Sequence, residues 1–429
     1  MVANKYLHLY QLLRNERRSP ESLRQLQTAK LRRLITHACT HVPFYRKIFA
    51  NAGVTPEQIK GPEDLHLLPV IDKHDFHQAA PRDLIDSRML QRRDLIPIAT
   101  SGSSGLSLRF FIDAGYDQYR KAQFLRPYIS NGRKLRDRSL WVSANPPESR
   151  PSWFRRLGFF MENKIYSGSP TEHIIQAIQA EKPDIIMGYA STLALAGKLI
   201  LQDEISISPP RRVFTDSELL TEAMRETIEA AFGTKVIDIY GTFELENIAY
   251  QCEEHQGYHI ATDSVIVEFL NGDKQAAAGE EGEIVCTVLD NLTSPFIRYN
   301  IHDLGIPIDG ACPCGRNFPL MRSITGRSCD LLTTATGTQL SALSLLGKFN
   351  NLADTFYEYQ IIQETLERIS VYVVPKKNYS NTEDHNIQRI INQLLPDAEV
   401  QIYKVKKIDR EKSGKFKVFK SMLVNGGTA

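Results

Sequence analysis

An α/β fold is predicted for this chain: a large N-terminal domain, then a small α+β domain. Three observations predict it. Residues 90–300 alternate short apolar runs with helix-period segments, the order of strands covered by helices. Asp184-Ile-Ile-Met-Gly188 is an apolar run short enough for a buried strand, and Thr221 to Phe232 reads as a helix closed by Gly233. Composition changes near Gly326, beyond which roughly one hundred residues have a compact α+β pattern, enough for a second domain.

The elements follow in order. Residues 20–40 form an amphipathic helix, because Leu31, Leu34, Ile35 and Ala38 fall at i, i+3, i+4 and i+7. Val42-Pro43 ends it, since proline excludes the residue before it from helical backbone. Ile96–Ala99 and Leu108–Ile112 are short strands. Val236–Tyr240 is a strand ending at Gly241. Val265–Leu270 and Glu283–Val288 make a hairpin region with a turn at Asn271-Gly272. In the last hundred residues, Ile369–Val374 and Glu399–Val405 are strands, and Ile387, Ile390, Ile391, Leu394 and Leu395 mark one helix face. A basic tail, Lys406 to Lys415, follows.

Composition excludes some functions. With 42% hydrophobic and 24% charged residues and a net charge of +2, nothing demands nucleic acid or an anionic membrane. No apolar run approaches the about 20 residues of a membrane span. The first 13 residues carry Lys5 and His8 and lack a signal-peptide core, so a cytoplasmic location with reduced cysteines is expected. The oligomeric state, monomer or homodimer, stays open.

Several motifs can carry chemistry. Thr100-Ser101-Gly102-Ser103-Ser104-Gly105 has almost no side-chain bulk, so its N–H groups and hydroxyls can approach a phosphate. Taken alone it reads equally as a flexible turn. Tyr240-Gly241-Thr242-Phe243-Glu244 puts a carboxylate just past a strand's carboxyl end, where α/β sheets bind ligands and where it could hold Mg²⁺. Arg298 to Asp303 supplies a second carboxylate after a strand-like Pro295–Tyr299, suited to ribose hydroxyls. Gly326-Arg327 offers a guanidinium, and Lys415 a swinging ammonium beside Gly414. Cys312-Pro-Cys314 resembles a metal knuckle, and Cys252 with His259 offers two more ligands for a closed structural Zn²⁺ site stapling residues 252–314. His255 competes with His259, and four unligated side chains are the alternative.

These motifs, in this order, resemble the adenylate-forming enzymes, within them the phenylacetate–CoA ligase branch and its capsular-polysaccharide-type relatives. The branch resemblance rests on Leu34-Ile35 to Ala38 with Val42 to Tyr45, Leu68-Pro-Val-Ile-Asp-Lys73, Cys252 with Gly257 to Ile260, and Cys312 to Arg316. It implies a domain of residues 1–328 binding ATP and acid, and a mobile lid of residues 329–429 hinged at Cys329 and Asp330. Thr100–Gly105 would clasp the pyrophosphate of ATP. Glu244 would ligate Mg²⁺, Asp303 would take the ribose hydroxyls, and Arg327 would contact ribose or phosphate. Further nucleotide contacts fall to Ser217, Glu218, Asp238, Tyr240, Gly241 and Thr242. Tyr189, Ala190 and Phe214 would line the acid pocket, and Lys415 would stabilise charge during adenylation. The implied activity is carboxylic acid activation through an acyl-adenylate, then transfer to a thiol, coenzyme A. Two departures stand out: Gly105-Leu106-Ser107 replaces a frequent Gly-Lys-Pro, and the hinge loop to Gly337 is one residue longer. They keep two alternatives in play, acyl transfer to an amine or hydroxyl in cell-surface polysaccharide assembly, and a non-catalytic nucleotide-binding scaffold.

Overall fold

The computed structural model describes residues 2–99, 108–143, 161–167, 169–327, 331–336, 339–341, 345, 349, 352, 355–406, 408–409 and 417–423. The chain divides into two compact units. The first is Met1–Gly132 with Ile239–Ile324, and the second is Arg133–Asp238 with Thr325–Ala429. The expected division at 328/329 lies close to the 324/325 boundary. The boundaries at 132/133 and 238/239 carry no mark in the sequence.

In the first unit, helix Pro20–His41 starts at Ser19, whose Oγ accepts the Ser22 N–H, with Pro20 in the first helical position. It buries Leu31, Leu34, Ile35 and Ala38. Val42, at φ −110°, breaks the helix before Pro43, and the chain at once starts a second helix, Pro43–Ala52. Proline there is both stop and start, because its fixed φ suits the first turn. Strands Ile96–Ala99 and Arg109–Ile112 pair antiparallel. Helix Ala114–Ser130 is capped by Asp113, whose Oδ1 accepts the Gly115 and Tyr116 N–H groups at 2.7 and 3.0 Å. The strands of this unit follow the order Lys274–Gln275, Val265–Asn271, Gly282–Val288, Tyr299–Ile308, Leu320–Arg327 (as far as Ile324), Tyr258–Ile260, Glu246–Gln251 and Val236–Thr242 (from Ile239 on).

Apolar packing and buried ion pairs hold this unit, the Arg126–Asp263 pair most deeply. Phe296 stacks with Phe76 and meets Phe110 edge-on, each at 5.2 Å between ring centroids. Arg126 of helix Ala114–Ser130 is fully buried and pairs with fully buried Asp263 at 2.7 Å, and Asn15 donates to the other carboxylate oxygen at 2.9 Å. Burial opposes ionisation of Asp263, but Arg126 and Lys30 outweigh it and hold the carboxyl below its usual range. The helix is thereby locked to residues 261–265.

The second unit contains four parallel strands in the order Arg212–Asp216, Ile185–Tyr189, Arg138–Ser143 and Met161–Tyr166. Ile185–Tyr189 is buried throughout, as a strand covered on both faces must be. Helices Thr171–Glu181, Ala190–Gln202 and Glu222–Phe232 accompany them, the last closed by Gly233 at φ +67°. The same unit holds a four-stranded sheet, Glu399–Lys404, Arg368–Pro375, Phe356–Gln363 and Phe419–Ser421, with helix Asn381–Asn392. Ile361, Ile369, Val371, Ile387 and Ile391 form its core. Among the described residues no helix is long and apolar enough to cross a membrane.

Candidate functional site

Thr100–Gly105, Cys329, Asp330 and Lys415 lie outside the described residues, and Arg327 enters only through its backbone, in strand Leu320–Arg327.

Of the other motif residues of the first unit, Tyr240 and Asp303 come together. Strand Val236–Thr242 runs past Gly241 instead of ending there, because Gly241 and Thr242 pair with strand Glu246–Gln251. A Cβ at Gly241 would run into the Glu246 carbonyl, so only glycine fits this hairpin. Gly241→Ala is therefore expected to destabilise the protein by about 1–3 kcal/mol, measured as a lower denaturation midpoint; an unchanged midpoint would show that the hairpin tolerates a Cβ. Glu244 sits half-buried in the connecting turn, and the Thr242 hydroxyl accepts the Leu245 N–H at 3.2 Å.

Asp303 does not follow a strand; it lies inside one, Tyr299–Ile308. Pro295 and the positive φ of Arg298 (48°) keep the preceding segment irregular. The register against strand Gly282–Val288 shifts between Val285↔Asn300 and Glu283↔Leu304, so residues 301–303 bulge, with His302 at φ +59°. Such a bulge re-aims side chains, here the buried Asp303 carboxylate. The Tyr240 hydroxyl donates to Asp303 Oδ2 at 2.7 Å. Two residues 63 positions apart thus form one polar pair.

In the second unit, Ser217 adopts φ +65° and the Glu218 N–H bonds the Asp216 carbonyl. Glu218 Oε2 accepts the Ser191 N–H at 3.0 Å, so its carboxylate caps helix Ala190–Gln202, where negative charge is favoured. Asp238 is buried and accepts from the Thr215 hydroxyl at 2.5 Å. Tyr189, Ala190 and Phe214 are all buried.

The cysteine–histidine reading converges on one point. The ligand atoms of Cys252, His259, Cys312 and Cys314 all lie within 4.8 Å of one another. Cys252 Sγ is 3.5 Å from Cys312 Sγ and 3.3 Å from His259 Nε2, which is 3.4 Å from Cys314 Sγ. A tetrahedral zinc with Zn–S near 2.3 Å sets its ligand atoms roughly 3.6–3.8 Å apart. His255 is not in the cluster: at φ +52° its N–H closes a turn on the Cys252 carbonyl. Burial, then the Arg316 guanidinium, holds His259 down to about 4, leaving a neutral ring suited to a metal. Burial also pushes the Cys252 thiol up to about 12. Cys314 is lowered against its burial by the Arg316 backbone and side chain.

Three residues at these sites have partners that the sequence does not indicate. Arg316, though part of the Cys-Pro-Cys-Gly-Arg run, is buried; it donates to Glu16 at 3.1 Å and to the Ser130 carbonyl at 2.7 Å, tying the knuckle to the turn at Glu16 and to the end of helix Ala114–Ser130. Arg120 and Glu246 pair beside the Glu244 turn. Only tertiary contact gives these charges partners.

The fold is that of adenylate-forming ligases. The 2-hydroxyisobutyryl-CoA ligase structure in the postadenylation state with R3-HIB-AMP shares it at a TM-score of 0.77 and 19% identity, over 95% of this chain and 91% of that one. A phenylacetate-coenzyme A ligase of Escherichia coli K12 is 30% identical over 340 residues, 74% of each chain. Protein CapK of Staphylococcus aureus is 23% identical over 397 residues, 88% of this chain and 83% of CapK. The model of the CapK C-terminal domain matches residues 332–422. The chain belongs to the phenylacetate–coenzyme A ligase family.

Proposed function

We propose that this protein is an AMP-forming ligase that joins a carboxylic acid to coenzyme A through an acyl-adenylate. The carrying observation is 30% identity to a phenylacetate-coenzyme A ligase over 74% of the chain. In the first step an acid oxygen attacks the α-phosphorus of ATP and pyrophosphate leaves. In the second a thiol attacks the acyl carbonyl and AMP leaves. Phenylacetate, from the relatives' names, is the first acid to assay, with Tyr189, Ala190 and Phe214 as the pocket tested by substitution. The need for ATP and coenzyme A supports a cytoplasmic location.

The residues divide the work. Asp303, its rotamer held by Tyr240, accepts from the ribose hydroxyls. Thr100–Gly105 surround the phosphates, Arg327 contacts ribose or phosphate, and Ser217, Glu218, Asp238 and Thr242 complete the nucleotide surroundings. Glu244, a half-buried carboxylate in a turn, suits a hard cation. Mg²⁺ bound there would offset phosphate charge. Lys415, on a lid of residues 329–429 hinged at Cys329 and Asp330, stabilises charge during adenylation. Cys252, His259, Cys312 and Cys314 hold a structural zinc with no open position, which assigns it to folding rather than catalysis.

Acid-dependent ATP–pyrophosphate exchange tests the first step, and acyl-CoA formation the second. Asp303→Ala is expected to weaken ATP binding about 10–100-fold, the worth of hydrogen bonds to a charged group, and Tyr240→Phe several-fold. Calorimetry that finds ATP affinity unchanged in both would move the ribose site elsewhere. A second reading keeps the adenylate but passes the acyl group to an amine or hydroxyl. The hinge loop to Gly337, one residue longer than the common pattern, supports it, and product formation with amines or sugars in place of coenzyme A distinguishes it.

A further inference from the structure

We propose that Arg120 is a positioning residue for Glu244, acting through its buried pair with Glu246. The inference rests on the reading of Glu244 as a cation ligand. Arg120 lies on helix Ala114–Ser130, six residues before the buried Arg126 that locks this helix to Asp263. Its side chain is 10% exposed and that of its partner Glu246 is 17% exposed. The same Nη2 that meets Glu246 Oε1 also donates to the Phe243 carbonyl at 3.2 Å, and the guanidinium carbon stands 5.8 Å from the Phe243 ring centroid. One cation therefore holds the residue before Glu244 and the second residue after it.

The strain in the turn indicates why such a hold is needed. Glu246 adopts φ +60°, a backbone conformation that a residue with a side chain holds only when its surroundings impose it. Burial raises the Glu246 carboxyl, and Arg120 opposes that rise, so the charged form depends on this partner. One residue further on, Asn247 Nδ2 donates to the Gln123 carbonyl at 2.7 Å, a second tie to the same helix. The Arg126–Asp263 lock thus extends through the helix to Phe243, Glu246 and Asn247. Glu244 is left half-buried on a turn tied at Phe243, Glu246 and Asn247, which is how a ligand carboxylate is pre-organised. Without Arg120, Glu246 would be a buried charge lacking its cation. It would take up a proton or turn outward, and the turn would move with it.

The test is ATP–pyrophosphate exchange by the full chain as a function of Mg²⁺ concentration. Arg120→Met is expected to raise the half-saturating Mg²⁺ about 10-fold, the usual effect of losing an outer-shell partner of a metal ligand. Exchange should recover at high Mg²⁺, with the KM for the acid unchanged. Arg120→Lys, which keeps the charge but not the fork, and Glu246→Gln, which keeps the shape but not the charge, should fall between. They also serve if Arg120→Met does not fold. A role in stability alone would lower the denaturation midpoint and leave the Mg²⁺ dependence in place, and that result overturns the proposal. Glu244→Gln separates the two ideas. If it leaves the Mg²⁺ requirement unchanged, the reading of Glu244 itself fails. If it raises the requirement while all three Arg120 and Glu246 variants do not, only the positioning role fails.

Discussion

Cys312→Ser is expected to strip zinc from the protein and lower its denaturation midpoint by several degrees or more. The wild-type chain, purified without chelator, should carry close to one zinc. Three separate segments supply the ligands: Cys252, His259, and Cys312 with Cys314. Cys252 and Cys312 are buried, packed with Leu320 and partly buried Ile308. Thiolates this close repel one another and are disfavoured by burial, so a cation among them turns an unfavourable cluster into a staple. Serine cannot replace the thiolate as a soft ligand, and three remaining donors leave zinc exposed to water and chelator. Zinc in small peptide domains is worth about 10–16 kcal/mol. Here the unit has its own apolar core, so the loss should be a fraction of that. Each kcal/mol lowers the midpoint by about 2–4 °C in a unit of this size. Elemental analysis and thermal melts with and without chelator decide it. A zinc-free wild type that melts with the mutant leaves Cys252, Cys312 and Cys314 as ordinary unligated thiols.

Lys415→Ala should slow acyl-adenylate formation about 10²–10³-fold, the cost of deleting one preorganised electrostatic stabiliser. The attacking carboxylate and the α-phosphate are both anionic, so their approach needs cations that strengthen as charge develops. ATP affinity should change far less, because the contribution is made in the transition state. When synthetic acyl-adenylate is supplied, thioester formation should be nearly normal. Substitutions at Cys329 should show the reverse, harming acyl transfer more than adenylation, as expected of a hinge. Adenylate formation is measured in a single turnover: a normal rate in Lys415→Ala would make the tail a solvated basic segment.

Local patterns were legible where one backbone preference dominates. The helix expected over residues 20–40 spans Pro20–His41, the strand at 184–188 spans Ile185–Tyr189, and Gly233 closes helix Glu222–Phe232. Errors arose where a residue has two uses. Val42-Pro43 ends the first helix as expected but also begins a second that the pattern does not announce, and Gly241 extends a strand instead of ending it. Asp303 sits in a bulge within a strand because register is set by the neighbouring strand, which no local window contains.

The α/β class, the order of the motifs and the candidate residues for phosphate, ribose, cation and thiolate-metal chemistry are legible before the chain is folded. These depend on composition and short-range periodicity. The tertiary structure decided His259 over His255, the Tyr240–Asp303 bond and the Arg120–Glu246 pair beside Glu244. Each joins groups far apart in the chain or separates two near ones by backbone direction. The free energy of such contacts comes from burial and geometry, which exist only once the chain has folded.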